Sequence, residues 1–180
     1  CFISTSSNAT LISLESASNQ VFQNEIIELE LWARNLNGEL ISGFEFDINF
    51  NTIVTFQGAT FGSFLGNNLD SIQDVISFST YINIAEASFL FDADLFSQQG
   101  GNDFLLASLR FLAVDLNTAN FSVISSDVIG ANYTPISILT SPELSIDIVA
   151  QQVPEPNTLV LLFIALISGS LLHRNCQVQI

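Results

Sequence analysis

Any chemistry in this chain would have to be carried out by carboxylates. The sequence holds eighteen Asp and Glu residues, three Arg, no Lys and one histidine. That histidine, His173, lies beside Arg174 near the C-terminus. The preceding residues therefore lack the imidazole of a Ser-His-Asp triad, a Cys-His pair or a histidine-based metal site. We expect a protein that is not an enzyme.

Paired carboxylates are the remaining route to catalysis, because a glycosidase uses two of them about 5–10 Å apart. Glu45 and Asp47 alternate along one predicted strand and would lie on the same face of it. A solvated strand face explains the same spacing, since exposed acidic residues keep a sheet soluble. We therefore predict no catalytic residues.

Calcium is the metal ion whose preferred ligands, carboxylate and carbonyl oxygens, are most abundant here. Asp92, Asp94 and Asp103 flank a predicted loop at 95–102 and form a candidate calcium site. Their Asp-x-Asp spacing lacks the glycine and the glutamate of an EF-hand loop. Solvated turn carboxylates are the alternative, and the sequence indicates no other cofactor.

Three aromatic residues are candidates for stacking against a glycan: Trp32, Tyr81 and Tyr133. Their exposure on a sheet face would decide between this role and burial. Trp32 is the lone tryptophan in a chain with sixteen phenylalanines, which favours a place in the core for it.

The formal net charge of −15 argues against nucleic acid as a partner. Nucleic-acid binding depends on Lys and Arg side chains that neutralise phosphates, and an acidic surface repels a polyanion. Cations, neutral glycans and basic protein surfaces remain as partners.

The two cysteines, Cys1 and Cys176, lie at the ends of the sequence and indicate neither a disulfide framework nor a thiol metal site. Because the sequence contains no Met, we expect a signal peptide upstream of Cys1. Whether Cys1 carries a lipid stays open.

Alternation of apolar and polar residues predicts β-strands from Ala9 to Ile148. In the stretch GFEFDINF at 43–50, for example, the Phe and Ile residues all point to one side. Clusters of Asn, Gly, Ser and Asp between such stretches are typical of turns. Many short strands without a long helix before Pro154 indicate an all-β sandwich or jelly roll. About nine strands are expected, at 10–15, 25–33, 43–50, 54–56, 75–80, 88–91, 104–114, 121–125 and 145–149.

The C-terminal segment follows a different pattern. Val153-Pro154-Glu155-Pro156 cannot continue a sheet and indicates a stiff boundary. The fifteen residues at 158–172 (TLVLLFIALISGSLL) are uncharged and precede Arg174, as in a stop-transfer segment. We predict a membrane helix there. Because the segment is short for a stable span, a buried core helix is the alternative.

Pro154, Glu155 and Pro156, the apolar segment behind them and Arg174 together resemble the PEP-CTERM sorting signal of Gram-negative bacteria. The resemblance covers residues 153–174. It implies processing by an exosortase, an integral membrane protease, and release to the envelope surface or the extracellular matrix. The chain ends in RNCQVQI, where members of that family usually have a cluster of arginines.

The region before this signal resembles cohesin-like domains over residues 9–149. The resemblance implies a jelly-roll sandwich related in fold to carbohydrate-binding modules, and the cohesins of cellulosomes bind dockerins through one sheet face. It rests on the segments VFQNE (21–25), LWARN (31–35), SGFEFDINFN (42–51), FGSFLG (61–66) and LASLRF (106–111).

The expected function is that of an exported, non-catalytic binding or structural protein of the cell envelope or extracellular matrix. A carbohydrate-binding module and a dockerin-binding cohesin of a polysaccharide-degrading assembly are the alternatives. Expected partners are an exosortase, the membrane and an extracellular polysaccharide or protein. The predicted organisation is an N-terminal segment (1–8), a sandwich (9–149), a linker (150–157), a transmembrane sorting helix (158–172) and a polar tail (173–180).

Overall fold

The computed structural model describes residues 9–151 apart from Asn68, Asn102 and Pro142. Residues 1–8, the Pro-Glu-Pro motif, the segment 158–172 and Arg174 lie outside the described residues. Within them are eleven β-strands, one α-helix (α1, Asp92–Gln98) and a short 3-10 helix at Ala131–Tyr133. The strands are β1 (Thr10–Glu15), β2 (Gln20–Phe22), β3 (Ile26–Arg34), β4 (Ile41–Phe50), β5 (Val54–Phe61), β6 (Ser71–Ser77), β7 (Tyr81–Ser88), β8 (Phe104–Ala113), β9 (Asn117–Gly130), β10 (Ile138–Thr140) and β11 (Leu144–Val149).

The strands form two sheets. One has five strands in the order β10-β1-β3-β8-β5, and the other has six in the order β2-β11-β9-β4-β7-β6. Neighbouring strands are antiparallel except for two edge pairs, β10 with β1 and β2 with β11, which are parallel. The sheets enclose a single apolar core, as in a β-sandwich.

Alternation along the strands produces this core. Every second residue of β3 from Ile27 to Ala33 is buried, and the residues between them are half-buried or exposed. Phe111 of the five-stranded sheet contacts two rings of the six-stranded sheet, with centroids 5.1 Å from Phe50 and 5.0 Å from Phe121. Because a buried Phe side chain contributes about 1.5–3 kcal/mol, such contacts hold the two sheets together.

The predicted all-β sandwich is confirmed, although its strands differ in number and place from the prediction. The described residues contain eleven strands rather than nine. The prediction missed β7 and two strands of three residues each, β2 and β10, which form only by pairing with a neighbour at a sheet edge.

The region around β7 was also predicted wrongly. The expected strand at 88–91 does not form, because Ser88 ends β7 and Phe91 is the N-cap of α1. In β7 itself, Glu86 occupies an inward position and interrupts the apolar alternation that would have marked the strand.

α1 is only seven residues long. Asp92 and Asp94 in its first turn are placed favourably against the partial positive charge of a helix N-terminus. Leu95 is its one buried residue. Across the described part of the chain, no helix is long and apolar enough to cross a membrane.

A candidate binding face on the six-stranded sheet

An apolar row crosses four adjacent strands on the outer face of the six-stranded sheet. By register, Ile72 of β6 lies beside Ala87 of β7, which lies beside Gly43 of β4, and Gly43 lies beside Ile129 of β9. Ile72 is 59% exposed and Ile129 is 41% exposed. The row lines a shallow cavity of about 470 Å³ that Pro135 also borders. Exposed apolar side chains beside a cavity are candidates for contact with a partner.

Gly43 lines this cavity and has no side chain to fill it. A Cβ atom at this position would lie 3.1 Å from the carbonyl oxygen of Glu86 and 3.6 Å from Cα of Ala87. A larger residue would therefore press on the backbone of β7 and occupy the middle of the apolar row. The glycine leaves that space to a side chain from outside.

An acidic row lies next to the apolar row. Glu45 of β4 is directly opposite Asp127 of β9, and Asp74 of β6 lies in the same row across Ala85 of β7. All three carboxylates are exposed and border the same cavity. Like charges that oppose each other in a sheet are destabilising. The fold therefore carries this arrangement at some cost in stability.

Asn83 connects two carboxylates of this face. Its Nδ2 donates to Oε1 of Glu45 at 3.0 Å and to Oδ1 of Asp47 at 2.9 Å. Glu45 and Asp47 are the pair whose spacing suggested glycosidase chemistry. Their shared contact to a neutral amide on an outer sheet face is the arrangement of a solvated strand face.

The arginines of the described residues lie on the other sheet. Arg34 of β3 contacts Glu15 at 2.8 Å and Asp103 at 3.2 Å, and Arg110 of β8 contacts Glu28 at 3.5 Å. In the ranges that the structure describes, no basic side chain lies on the six-stranded sheet to offset the acidic row. The potential over the candidate face is therefore negative.

Glu86 lies on the inner side of β7, beneath this face, and is 2% exposed. Its Oε1 accepts hydrogen bonds from Oγ of Ser71 at 2.7 Å and Nε2 of Gln73 at 2.8 Å. Its Oε2 is buried without a partner among the described residues. Burial raises the pKa of Glu86, although the bonds from Gln73 and Ser71 act in the opposite direction. Glu86 was not predicted from the sequence, although its place two residues after Ile84 in a strand would put its side chain on the same inner side.

The three aspartates predicted as calcium ligands do not come together. Asp92 and Asp94 lie in the first turn of α1. Asp103 instead accepts hydrogen bonds from Nη1 of Arg34 at 3.2 Å and from the backbone N–H of Asn35 at 2.9 Å. Over residues 9–151, as far as they are described, no group of three His, Cys, Asp or Glu side chains could hold a metal ion.

Trp32 does not lie in the core, contrary to the expectation for a lone tryptophan. It is half-buried on the outer side of β3, because the inward positions of that strand belong to its neighbours. The guanidinium carbon of Arg34 lies 4.8 Å from the centroid of its ring, and its Nε1 donates to Oε2 of Glu30 at 2.9 Å. One face of the indole is thus already occupied by the protein itself.

The two tyrosines proposed for glycan stacking lie near opposite ends of β4, Tyr81 in β7 and Tyr133 in the 3-10 helix that follows β9. Tyr81 lies beside the last residues of β4 and stacks on Phe78, with ring centroids 4.3 Å apart. Tyr133 follows the end of β9, which pairs with the first residues of β4, and is 88% exposed. Together with Trp32 on the other sheet, they do not form one platform.

No protein-family model and no curated protein matches the sequence. Solved structures, in contrast, resemble the fold. A cohesin module from a family 33 glycoside hydrolase of Clostridium perfringens has a TM-score of 0.63 and 12% identity over 79% of this chain and 98% of its own. The second type II cohesin module of the adaptor ScaA scaffoldin of Acetivibrio cellulolyticus has a TM-score of 0.65 and 12% identity over 83% of this chain and 96% of its own.

A third similar structure comes from an archaeon. A non-cellulosomal cohesin of Archaeoglobus fulgidus has a TM-score of 0.61 and 15% identity over 80% of this chain and 94% of its own. At this level of identity, the similarity establishes a cohesin-like sandwich fold and does not by itself assign an activity.

Proposed function

We propose that the sandwich is a non-catalytic, cohesin-like module that binds a protein partner through the outer face of β9, β4, β7 and β6. The observation that carries this proposal is the position of the apolar row next to the acidic row, around one cavity of about 470 Å³. Exposed apolar area beside uncompensated charge is unfavourable in a free monomer and is typical of an interaction surface.

The cavity and the acidic row of this face indicate which side chains a partner would present to it. Aliphatic or aromatic side chains of the partner would enter the cavity above Gly43. Lys or Arg side chains around them would neutralise the acidic row. The net charge of −15 would also speed the encounter with a basic surface.

Several of the similar solved structures are complexes with a protein. One contains a type II cohesin with an X-dockerin of Acetivibrio cellulolyticus, and another contains the sixth cohesin of its scaffoldin B with a Cel5 dockerin. They support a protein as the kind of partner. A glycan is less well supported, because Trp32, Tyr81 and Tyr133 lie on separate surfaces.

Photocrosslinking tests this proposal because it captures a bound protein whatever its identity. Benzoylphenylalanine is introduced in place of Ile129, on the candidate face, and in place of Glu28, which points outward from β3 on the other sheet. After irradiation in an extract of the source cells, we expect a discrete protein adduct from position 129 and none from position 28. Equal adducts from both positions, or none from position 129, would contradict the proposal.

We further propose that the chain is exported and displayed on the envelope, or in the extracellular matrix, of a Gram-negative bacterium. The support is the motif Pro154-Glu155-Pro156, followed by the uncharged segment 158–172 and by Arg174. An exosortase would process this signal after the segment has inserted in the membrane.

Intact mass and cell fractionation test the sorting proposal. The chain is expressed in hosts with and without an exosortase, next to a Glu155→Ala variant. We expect loss of the residues after the motif, and appearance of the product outside the cell, only for the parent in the exosortase host. An uncut chain in the inner membrane of both hosts would refute sorting and leave the binding proposal untouched.

A further inference from the structure

Three of the four sheet edges are protected against pairing with another strand. β2 and β10 have three residues each. β5 carries a bulge at Gly58, where φ is +154° and the register with β8 shifts. Short edge strands and bulges are devices that keep sheet edges from templating further strands.

β6 is the fourth edge and has neither device. Its seven residues pair with β7 without interruption. Its sequence, SIQDVIS, contains neither Pro nor Lys, and its one charged residue is Asp74, which disfavours a second acidic strand but not a basic one. Among the described strands, none pairs with its other side. Ile72 and Ile76 point outward from it and are 59% and 46% exposed.

A cavity lies beside the inner side of this edge at Gln73. Its volume is about 410 Å³, and its lining includes Phe61 and Gly62 at the end of β5, Asn67 and, from β6, Gln73. Because successive side chains of a strand point to opposite faces, a strand added to β6 would direct every second side chain to this side of the sheet, and the one next to Gln73 towards the cavity. The edge therefore offers room as well as unpaired backbone, except at Ser71, whose N–H donates to the carbonyl oxygen of Asn67 at 3.0 Å.

We propose that β6 pairs with an extended segment of a partner protein, which adds a strand to the six-stranded sheet. The segment carries apolar residues next to Ile72 and Ile76, a Lys or Arg next to Asp74, and small polar residues on its inner side. Main-chain hydrogen bonds supply the affinity, and the alternate side chains supply the specificity. This goes beyond the proposed function, since it uses the backbone of one edge rather than the side chains of the face.

A second copy of this chain is a poorer occupant. Asp74 is the middle residue of β6, so centred antiparallel pairing of two copies would place the two Asp74 carboxylates opposite each other. Each copy also has a net charge of −15, which opposes self-association. Charge complementarity therefore favours a basic segment of a partner protein over a second copy of this chain.

A designed peptide tests the inference on the full 180-residue chain. The probe is a fluorescent, amidated heptapeptide, TVTRTVT, whose affinity is measured by fluorescence anisotropy. We expect hydrogen exchange to slow in Ser71–Ser77 when the peptide binds. Two further peptides carry N-methyl groups either on the Val and Arg amides or on the Thr amides. Alternate amides point to opposite strand edges, so one of these two peptides should bind about tenfold more weakly than the other.

Variants of the protein complete the test. Ile76→Lys adds a guard residue to β6 and should weaken binding about tenfold, whereas Leu139→Lys, at the β10 edge, should leave the affinity within about twofold. Glu45→Lys, two strands away from the edge, should change it by no more than about threefold, which separates edge binding from binding to the face.

Three results of the peptide experiments would overturn the inference. They are equal binding of the two N-methylated peptides, an Ile76→Lys variant with the parent's affinity, and protection from exchange elsewhere than in β6. A chain that is dimeric on its own, and that Ile76→Lys makes monomeric, would also overturn it, because a second copy would then occupy the edge.

Discussion

The carboxyl group of Glu86 lies on the inner side of β7, where burial raises its pKa. A carboxyl with a higher pKa in the folded than in the unfolded chain binds its proton more tightly in the folded state. Its contribution to stability is therefore most favourable below the unfolded pKa and is lost as the pH rises through the folded pKa. The direction is opposite to that of a carboxylate in a salt bridge.

Glu86→Gln should remove this pH dependence, because the amide keeps the shape of the side chain and does not titrate. We expect the parent to lose stability relative to the variant as the pH rises above about 4.3. Urea unfolding over this range measures the difference, and Glu28→Gln, remote on the other sheet, is the control. Parallel profiles for the parent and Glu86→Gln would contradict the assignment.

The side chain of Gln99 forms hydrogen bonds to the backbone, in a region that the sequence predicts as a loop. Its side chain is buried and makes three hydrogen bonds to the main chain. Oε1 accepts from the N–H of Ile41 at 2.9 Å, and Nε2 donates to the carbonyl oxygens of Ile41 at 2.6 Å and Phe64 at 3.1 Å. It thereby connects the end of α1 with the start of β4.

Gln99→Ala should lower the free energy of unfolding by about 2–3 kcal/mol, because it leaves buried main-chain groups without partners. Gln98→Ala, the exposed neighbour, should change it by no more than about 0.5 kcal/mol. Urea denaturation of both variants tests this. Equal stability of the two would mean that the side chain of Gln99 is dispensable.

At the scale of elements, the sequence predicts strands well where the apolar alternation is clean. β1, β3 and β4 were expected almost as they are, and Glu45 and Asp47 were correctly expected to face solvent. The candidate face as a whole was not predictable, because its rows depend on the register of four strands from distant parts of the chain. α1 escaped prediction because it is short and buries only Leu95.

The turn after β5 makes a backbone contact that only glycine allows. Gly62 donates its N–H to the carbonyl oxygen of Leu106 at 2.8 Å. A Cβ atom on Gly62 would lie 2.1 Å from the carbonyl oxygen of Leu105, which no side chain can accommodate without a shift of the backbone. This close approach lets the hydrogen bond between Gly62 and Leu106 link the end of β5 to β8.

Gly62→Ala should therefore destabilise the sandwich by about 2–3 kcal/mol through overpacking. Gly100→Ala is the matched control, because its Cβ would lie 3.5 Å from the nearest atom, the carbonyl oxygen of Phe96. We expect that control to stay within about 0.5 kcal/mol of the parent in thermal or urea unfolding. A Gly62→Ala protein as stable as Gly100→Ala would show that the turn adjusts freely.

At the scale of the whole molecule, the two sheets divide the charge unequally. Both described arginines lie on the five-stranded sheet and contact carboxylates there, whereas the six-stranded sheet carries an acidic row without a described counter-charge. Burial of that row against a basic partner removes the repulsion within it. The asymmetry thus links the composition of the chain to the face that we propose for binding.

The most direct test of the proposed face is a pair of charge reversals, measured by titration calorimetry with the partner captured from position 129. Glu45→Lys and Glu28→Lys both change an outward glutamate of a strand, one on each sheet. We predict that Glu45→Lys weakens binding at least about tenfold and that Glu28→Lys changes it by less than about twofold. Equal losses in the two variants, or unchanged affinity in Glu45→Lys, would contradict binding through the six-stranded sheet.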